Sequence, residues 1–296
     1  MSASTPILHS LIQLIEHHSS DQTPPELSSY LSGHLLKEST SISETLLSMK
    51  SILGNSQFLI RSFSQRDHAT VESVYGDCPV GHWSYLQAVK VVFLTQYVLN
   101  HRQSKSPFKH LFEIYDSADV DARVACLRAL NFIDDDPQDG LELVYDAGRT
   151  YLSELMDAGW CNNPFSTTHL STEEYRKAVL KSLFCDVNVG GFLKLEERAD
   201  EELARRLCEY ADEREAAGRS VPHSVWIVSA RYPRPGLVAR LIGRLEHPNE
   251  EERKVAILSL KSAQDTRAVS FLKERLEREE SWECQALIKA TLEALS

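Results

Sequence analysis

The chain of 296 residues is 42% hydrophobic and 25% charged, which excludes wholesale disorder and fits one large domain or two smaller ones. Its net charge of −11 is spread along the sequence, and phosphate binding needs clustered Lys and Arg, so nucleic acid is excluded as the main partner. No basic segment precedes the short apolar run Ile7 to Ile15, and the most apolar stretch, Leu86 to Leu99, holds Lys90 and is shorter than the ~20 residues of a membrane span. Neither a secretory signal nor a transmembrane segment is expected.

Helical periodicity dominates from the start, and alternating strand patterns are nearly absent. Leu8, Leu11, Ile12 and Ile15 form the apolar stripe of a first helix. Asp21 to Pro25 is a turn whose prolines suit the next helix start, and Leu27, Leu31, Leu35 and Leu36 mark that helix's buried face. A third helical region spans about Ser43 to Phe63, with a break at Gly54-Asn55. Asp67 to Gly81 reads as a loop, and His82 to Asn100 as a long buried helix.

From Lys109 onward the pattern becomes paired. Leu111 to Tyr115 is a short first helix, Asp119 and Asp121 mark a turn and cap, and Ala122 to Phe132 is a second helix similar to that of a HEAT repeat. Asp134 to Gly140 lacks the spaced oxygens and closing Glu of a calcium loop and is expected to cap the helix after it. That helix is expected over Leu141 to Ala158. Near the C-terminus the pairing repeats. Leu237–Leu245 and Glu251–Leu260 form one unit about His247-Pro248-Asn249, and Ala268–Leu276 and Ser281–Leu292 form another. Ala256 aligns with Ala286, and Leu258 with Ile288. Leu203–Tyr210 and Val221–Ala230 suggest a third, degenerate unit. Such pairs cannot bury their own stripes and stack into solenoids.

Trp160-Cys161-Asn162-Asn163-Pro164-Phe165-Ser166 interrupts these helices with dense polar chemistry. Ser171 and Glu174 then fit a capping box, opening a helix whose buried face is Val179, Leu180, Leu183 and Phe184. Cys161 with His169 has the chemistry of a nucleophile and base, or of two metal ligands. Nothing nearby supplies the remaining partners, so a small buried thiol and a loop imidazole are the favoured reading. Asn162, Asn163 and Ser166 offer donors and acceptors for a polar ligand between the apolar walls Trp160 and Phe165, or for local turns. Arg149 and Lys181 sit on flanking helices. Side by side they would meet one anionic ligand, whereas Arg149 also has Asp146 and Glu154 within reach on its own surface. Arg214 lies in a run that reads as a solvated, salt-bridged face. His17 and His18 point in different directions on a helix and make a poor chelate. Cys78, Cys126, Cys161, Cys185, Cys208 and Cys284 include no CxxC pair and read as reduced thiols of a cytoplasmic protein. Neither a P-loop nor a dinucleotide, GxSxG or HExxH motif occurs, and we expect no cofactor and no metal.

Gly148-Arg149-Thr150, Cys161-Asn162-Asn163-Pro164-Phe165, Ala178 to Phe184 and Tyr210 to Arg219 together resemble the EboA family, over about residues 140–230. The resemblance implies a helical protein of unassigned biochemistry. It would be encoded beside sugar-phosphate-isomerase-like, cyclitol-synthase-like and prenyltransferase-like proteins and linked to making or exporting a small secondary metabolite. It brings no catalytic residues. The expected fold is all-α, with HEAT-like or ARM-like repeats forming an α-solenoid and an N-terminal helical cap. Residues 1–105 would pack on an EboA-like domain, 106–296, whose repeats are clearest over 235–296. The expected function is a non-enzymatic binding or scaffold protein, with pathway proteins or a small metabolite as partner. The alternatives are an enzyme, or an essential enzyme subunit, with a pocket at Arg149, Asn163 and Lys181, and a purely structural protein.

Overall fold

The computed structural model describes residues 70–296 together with Leu11, Ile12, Gln13, Ile15 and Leu46. Those five are helical, and Leu11, Ile15 and Leu46 are buried, in keeping with the first and third helices read from the sequence. The second helix, the Gly54-Asn55 break and the His17-His18 pair lie outside the described residues. Contacts divide the chain into two units, ending and beginning at Leu193 and Lys194.

The first unit opens with a finding the sequence did not suggest. Thr70–Ser73 (β1) and Gly76–Pro79 (β2) pair antiparallel, Thr70 opposite Pro79 and Ser73 opposite Gly76, where a loop was expected. Gly76, at φ +102°, permits the tight turn, and the Val74 amide donates to the Asn131 carbonyl at 2.9 Å. Only Val71, Ser73 and Cys78 of the ribbon are buried, too few for an alternating signal.

Helices then follow in pairs. α1 (Tyr85–Asn100) begins at a capping box of Ser84 and Gln87, and α2 (Pro107–Ser117) at Ser106. Asp119 caps α3 (Val120–Ala129), which tightens into a 3₁₀ turn over Leu130–Phe132. Asp136 caps α4 (Pro137–Arg149). Asp135 serves the other direction, accepting from the Phe108 amide at 3.0 Å and from Ser106 Oγ at 2.5 Å. The acidic run thus caps the helix after it, as expected, and also serves the start of α2, which was not expected. α1, α3 and α5 (Ser153–Trp160) pack in a row, and α2 and α4 lie against each other. Trp83, Tyr115, Tyr175, Phe108, Phe132 and Phe165 are the largest fully buried side chains among the described residues of this unit, and each Phe contributes about 1.5–3 kcal/mol by leaving water.

The single helix expected over Leu141–Ala158 is two helices, α4 and α5, broken at Thr150-Tyr151-Leu152. Thr150 Oγ1 donates to the Ala147 carbonyl at 2.8 Å, and the Leu152 amide reaches Thr150 Oγ1 at 3.3 Å. That local exchange replaces two helical bonds and turns the chain.

In the second unit α8 (Leu195–Arg198) precedes α9 (Glu201–Ala216), α10 (His223–Ala230), α11 (Leu237–Arg244), α12 (Glu250–Ala263), α13 (Val269–Arg278) and α14 (Trp282–Ala294). α10 packs on α12 and α12 on α14, while α11 lies along α12 and α13 along α14. Burial aligns the last two units one residue further along than the sequence alignment, pairing Ile257 with Ile288 and Leu260 with Thr291. Trp226 is buried beneath the guanidinium groups of Arg240 and Arg244, each 4.6 Å from its ring. Glu279, 4% exposed, takes a bidentate pair of bonds from Arg253 at 2.8 and 2.9 Å, with Arg275 and the Ser281 amide each at 3.0 Å. Arg214 donates to the Ser220 carbonyl at 2.9 Å instead of joining a salt-bridged run. Across the described residues, no helix is long and apolar enough to cross a membrane.

Candidate functional site

The Trp160–Ser171 segment is mostly helical rather than a loop. α5 ends at Trp160, and α6 (Pro164–His169) begins three residues after Cys161. Asn162 alone makes the reversal, at φ +51°, a conformation Asn tolerates better than most residues, while its amide donates to the Gly191 carbonyl at 2.7 Å. Asn163 is the N-cap of α6 and is 1% exposed. Its side-chain oxygen accepts from the Ser166 amide at 3.2 Å. Its Nδ2 donates to the Ala158 carbonyl at 2.8 Å and the Leu127 carbonyl at 3.3 Å. One side chain therefore satisfies groups on α3, α5 and α6 that water cannot reach. Ser166 Oγ donates to the Gly159 carbonyl, and Thr167 Oγ1 to that of Asn163.

Aromatic rings close this knot. Phe165 is fully buried, with Tyr75, Phe108 and His169 at centroid distances of 5.2, 5.4 and 4.8 Å. His169, expected in a loop, is the last residue of α6 and stands edge-on to Tyr75 at 4.9 Å. Burial lowers its pKa, so the neutral ring is favoured, and its Nε2 is buried without a hydrogen-bond partner among the described residues. Trp160, 7% exposed, belongs to the core and lies 6.5 Å from Phe192.

Cys161 is 3% exposed, and its thiol donates to the Asn188 carbonyl at 3.5 Å. Burial raises its pKa, and the nearby Asp157 carboxylate raises it further, the reverse of what a nucleophilic thiolate needs. The described residues contain no group of three or more His, Cys, Asp or Glu side chains placed to hold a metal.

Arg149 and Lys181 do not converge. Lys181, on α7 (Thr172–Phe184), donates to the Gly148 carbonyl at 2.5 Å and lies 4.9 Å from the Tyr151 ring centre. It neutralises the end of α4, where the helix leaves its carbonyls unpaired. Arg149 is exposed, with neither Asp146 nor Glu154 in an ion pair to it. The Ser171–Glu174 capping box forms as its spacing implied. Of the face assigned to α7, Val179 and Leu183 are buried, Leu180 is half-buried, and Phe184 is 69% exposed. Tyr175, Ala178 and Ser182 complete the buried side.

Asn131 and Tyr75, both missed in the sequence, hold the knot from behind, and a third missed residue, Arg128, lies beside Asn131. Asn131 Oδ1 accepts from the Phe165 amide at 2.9 Å while its Nδ2 donates to the Arg128 carbonyl at 3.0 Å. Tyr75 donates to the Ile133 carbonyl at 3.0 Å. Arg128, 7% exposed, lies 5.0 Å from the Trp83 ring centre and donates to Gln87. Burial lowers its pKa to about 10 against the pull of Asp157. Arg128 also helps hold His82 neutral, whose pKa falls to about 4, chiefly through burial. No local motif announces these residues, because each acts over a long sequence separation.

Fold and site together define an all-α protein of paired helices, in which a short polar segment locks three helices to one another. A family model described as metabolite traffic protein EboA matches residues 50–230. The chain belongs to the EboA family. No curated protein and no solved structure matches it.

Proposed function

We propose that the protein is a non-enzymatic binding or scaffold protein that serves the making or export of a small secondary metabolite in the cytoplasm. It would hold pathway enzymes or an intermediate on HEAT-like helix pairs. The observation carrying this reading is that Asn163, Ser166 and Thr167 spend their polar atoms on backbone groups of their own framework. Family membership supplies the metabolite context. Affinity purification of the full chain from its own cells tests the reading. Reproducible recovery of pathway enzymes in stoichiometric amounts is expected, and recovery of the bare chain would count against it.

One observation favours a second reading, an enzyme or essential enzyme subunit with a polar pocket at this segment. His169 Nε2 is buried beside Phe165 and Tyr75 without a partner among the described residues, and a ligand or water would satisfy it. Native mass spectrometry tests this reading. A co-purifying small molecule lost in His169→Phe, with the helices intact by circular dichroism, would support it.

A further inference from the structure

In the second unit a cleft of about 610 Å³ opens beside α8 and the C-terminal ends of α10 and α12. Its size suits a small organic ligand. Ile227, Leu258 and the ring of Tyr232 supply carbon surface, and the Tyr232 hydroxyl is held by the Ala199 carbonyl at 3.3 Å. Arg231 and Lys261 supply two cations against one carboxylate, Glu196. Arg231 and Glu196 meet at 3.5 Å, with side chains 40% and 53% exposed, a pair weak enough to be exchanged for a ligand. Lys261 has no ion-pair partner among the described residues, although it belongs to a chain of net charge −11. A local surplus of positive charge in an acidic chain selects for anions.

We propose that this cleft binds a small organic anion. Lys261 and Arg231 take its phosphate or carboxylate, and Ile227, Leu258 and Tyr232 take its apolar body. Arg231, Tyr232, Leu258 and Lys261 lie beyond the residues matched by the family model, whereas Glu196 and Ile227 lie within them. The inference stands on the cleft alone. A failed recovery of pathway enzymes would leave it intact, and its own failure would leave the scaffold reading intact.

The test is calorimetric titration of the full chain with phenyl phosphate, benzoate, inorganic phosphate and phenol. Saturable binding of phenyl phosphate or benzoate is expected, and the tighter of the two identifies the anionic group. Inorganic phosphate, lacking the apolar body, should bind about ten-fold more weakly. Phenol should not saturate the site. Lys261→Gln should weaken the better anion about ten-fold. Glu196→Gln should tighten it by roughly three-fold, because Arg231 is released. Arg267→Gln, at an exposed cation already paired with Asp265, should leave it unchanged. Thermal melts of all three variants should match the parent. Absence of saturable binding by both organic anions up to about 10 mM, or affinity indifferent to Lys261→Gln and Glu196→Gln, would overturn the proposal.

Discussion

The Cβ that Gly148 lacks would lie 2.6 Å from Cζ2 of Trp160. The indole fills the space a side chain would take, while the Gly148 carbonyl receives Lys181. One residue thus admits the end of α5 on one side and fastens α7 on the other.

Gly148→Ala is therefore expected to push the indole out of place and cost about 1–3 kcal/mol, despite the better helix propensity of alanine. Gly243→Ala is the control. It lies in α11 with nothing within 4 Å of the added atom, and a gain of about 0.5–1 kcal/mol is expected. Urea unfolding followed by tryptophan fluorescence and circular dichroism measures both.

Asn163→Ala removes a helix cap and strips two buried carbonyls of their donor, so a loss of roughly 2–4 kcal/mol is expected. Asn163→Asp should do no better, since it keeps the cap but sets a carboxylate against the Ala158 and Leu127 carbonyls. Asn162→Gly, at φ +51°, should be neutral or mildly stabilising. Equal stability for Asn163→Ala and the parent in equilibrium denaturation would remove the locking role from this side chain.

Glu279 sets a pH dependence. Burial alone would raise its pKa, but hydrogen bonds from Arg253, the Ser281 amide and Arg275 outweigh burial and depress it from 4.5 to about 2. Between those values the unfolded chain binds a proton that the folded chain does not. The stabilisation is therefore complete above pH 4.5 and is lost as pH falls towards 2, by up to roughly 3 kcal/mol. Denaturant titrations across this range should fall more steeply for the parent than for Glu279→Gln. That variant starts lower, because it leaves Arg253 buried without its charge partner.

Alkylation should separate the thiols. Cys78, Cys126 and Cys161 are buried, and burial raises all three pKa values, Cys78 to about 12. Cys185 is the partly exposed thiol. Iodoacetamide at mildly alkaline pH is expected to modify Cys185 first, with Cys161 reacting only on unfolding, as read by peptide mass spectrometry. Early labelling of Cys161 would reopen its reading as a nucleophile.

Two helix starts set by close neighbours in sequence were visible there. Ser171 and Glu174, three apart, announced their capping box, and Asp119 its helix start. Features that depended on distant partners were hidden. Lys181 reads as a free cation until the end of α4 is placed beside it, and Asn163 reads as turn chemistry or ligand chemistry until Leu127 and Ala158 arrive. The α4–α5 break escaped because Thr150, Tyr151 and Leu152 include neither glycine nor proline. Phe184 looked buried because periodicity ranks residues by apolarity and cannot tell where a face runs out of neighbours.

Arg253 and Glu279 tie α12 to the turn that leads into α14. A helix pair held by apolar contacts alone tends to open one helix at a time. Here, opening the pair would separate two charges that are nearly shut off from solvent, at a cost of several kcal/mol. α14 should therefore not peel away by itself. Its amides are expected to exchange with deuterated solvent in step with those of α12, so that α12 to α14 behave as one cooperative block.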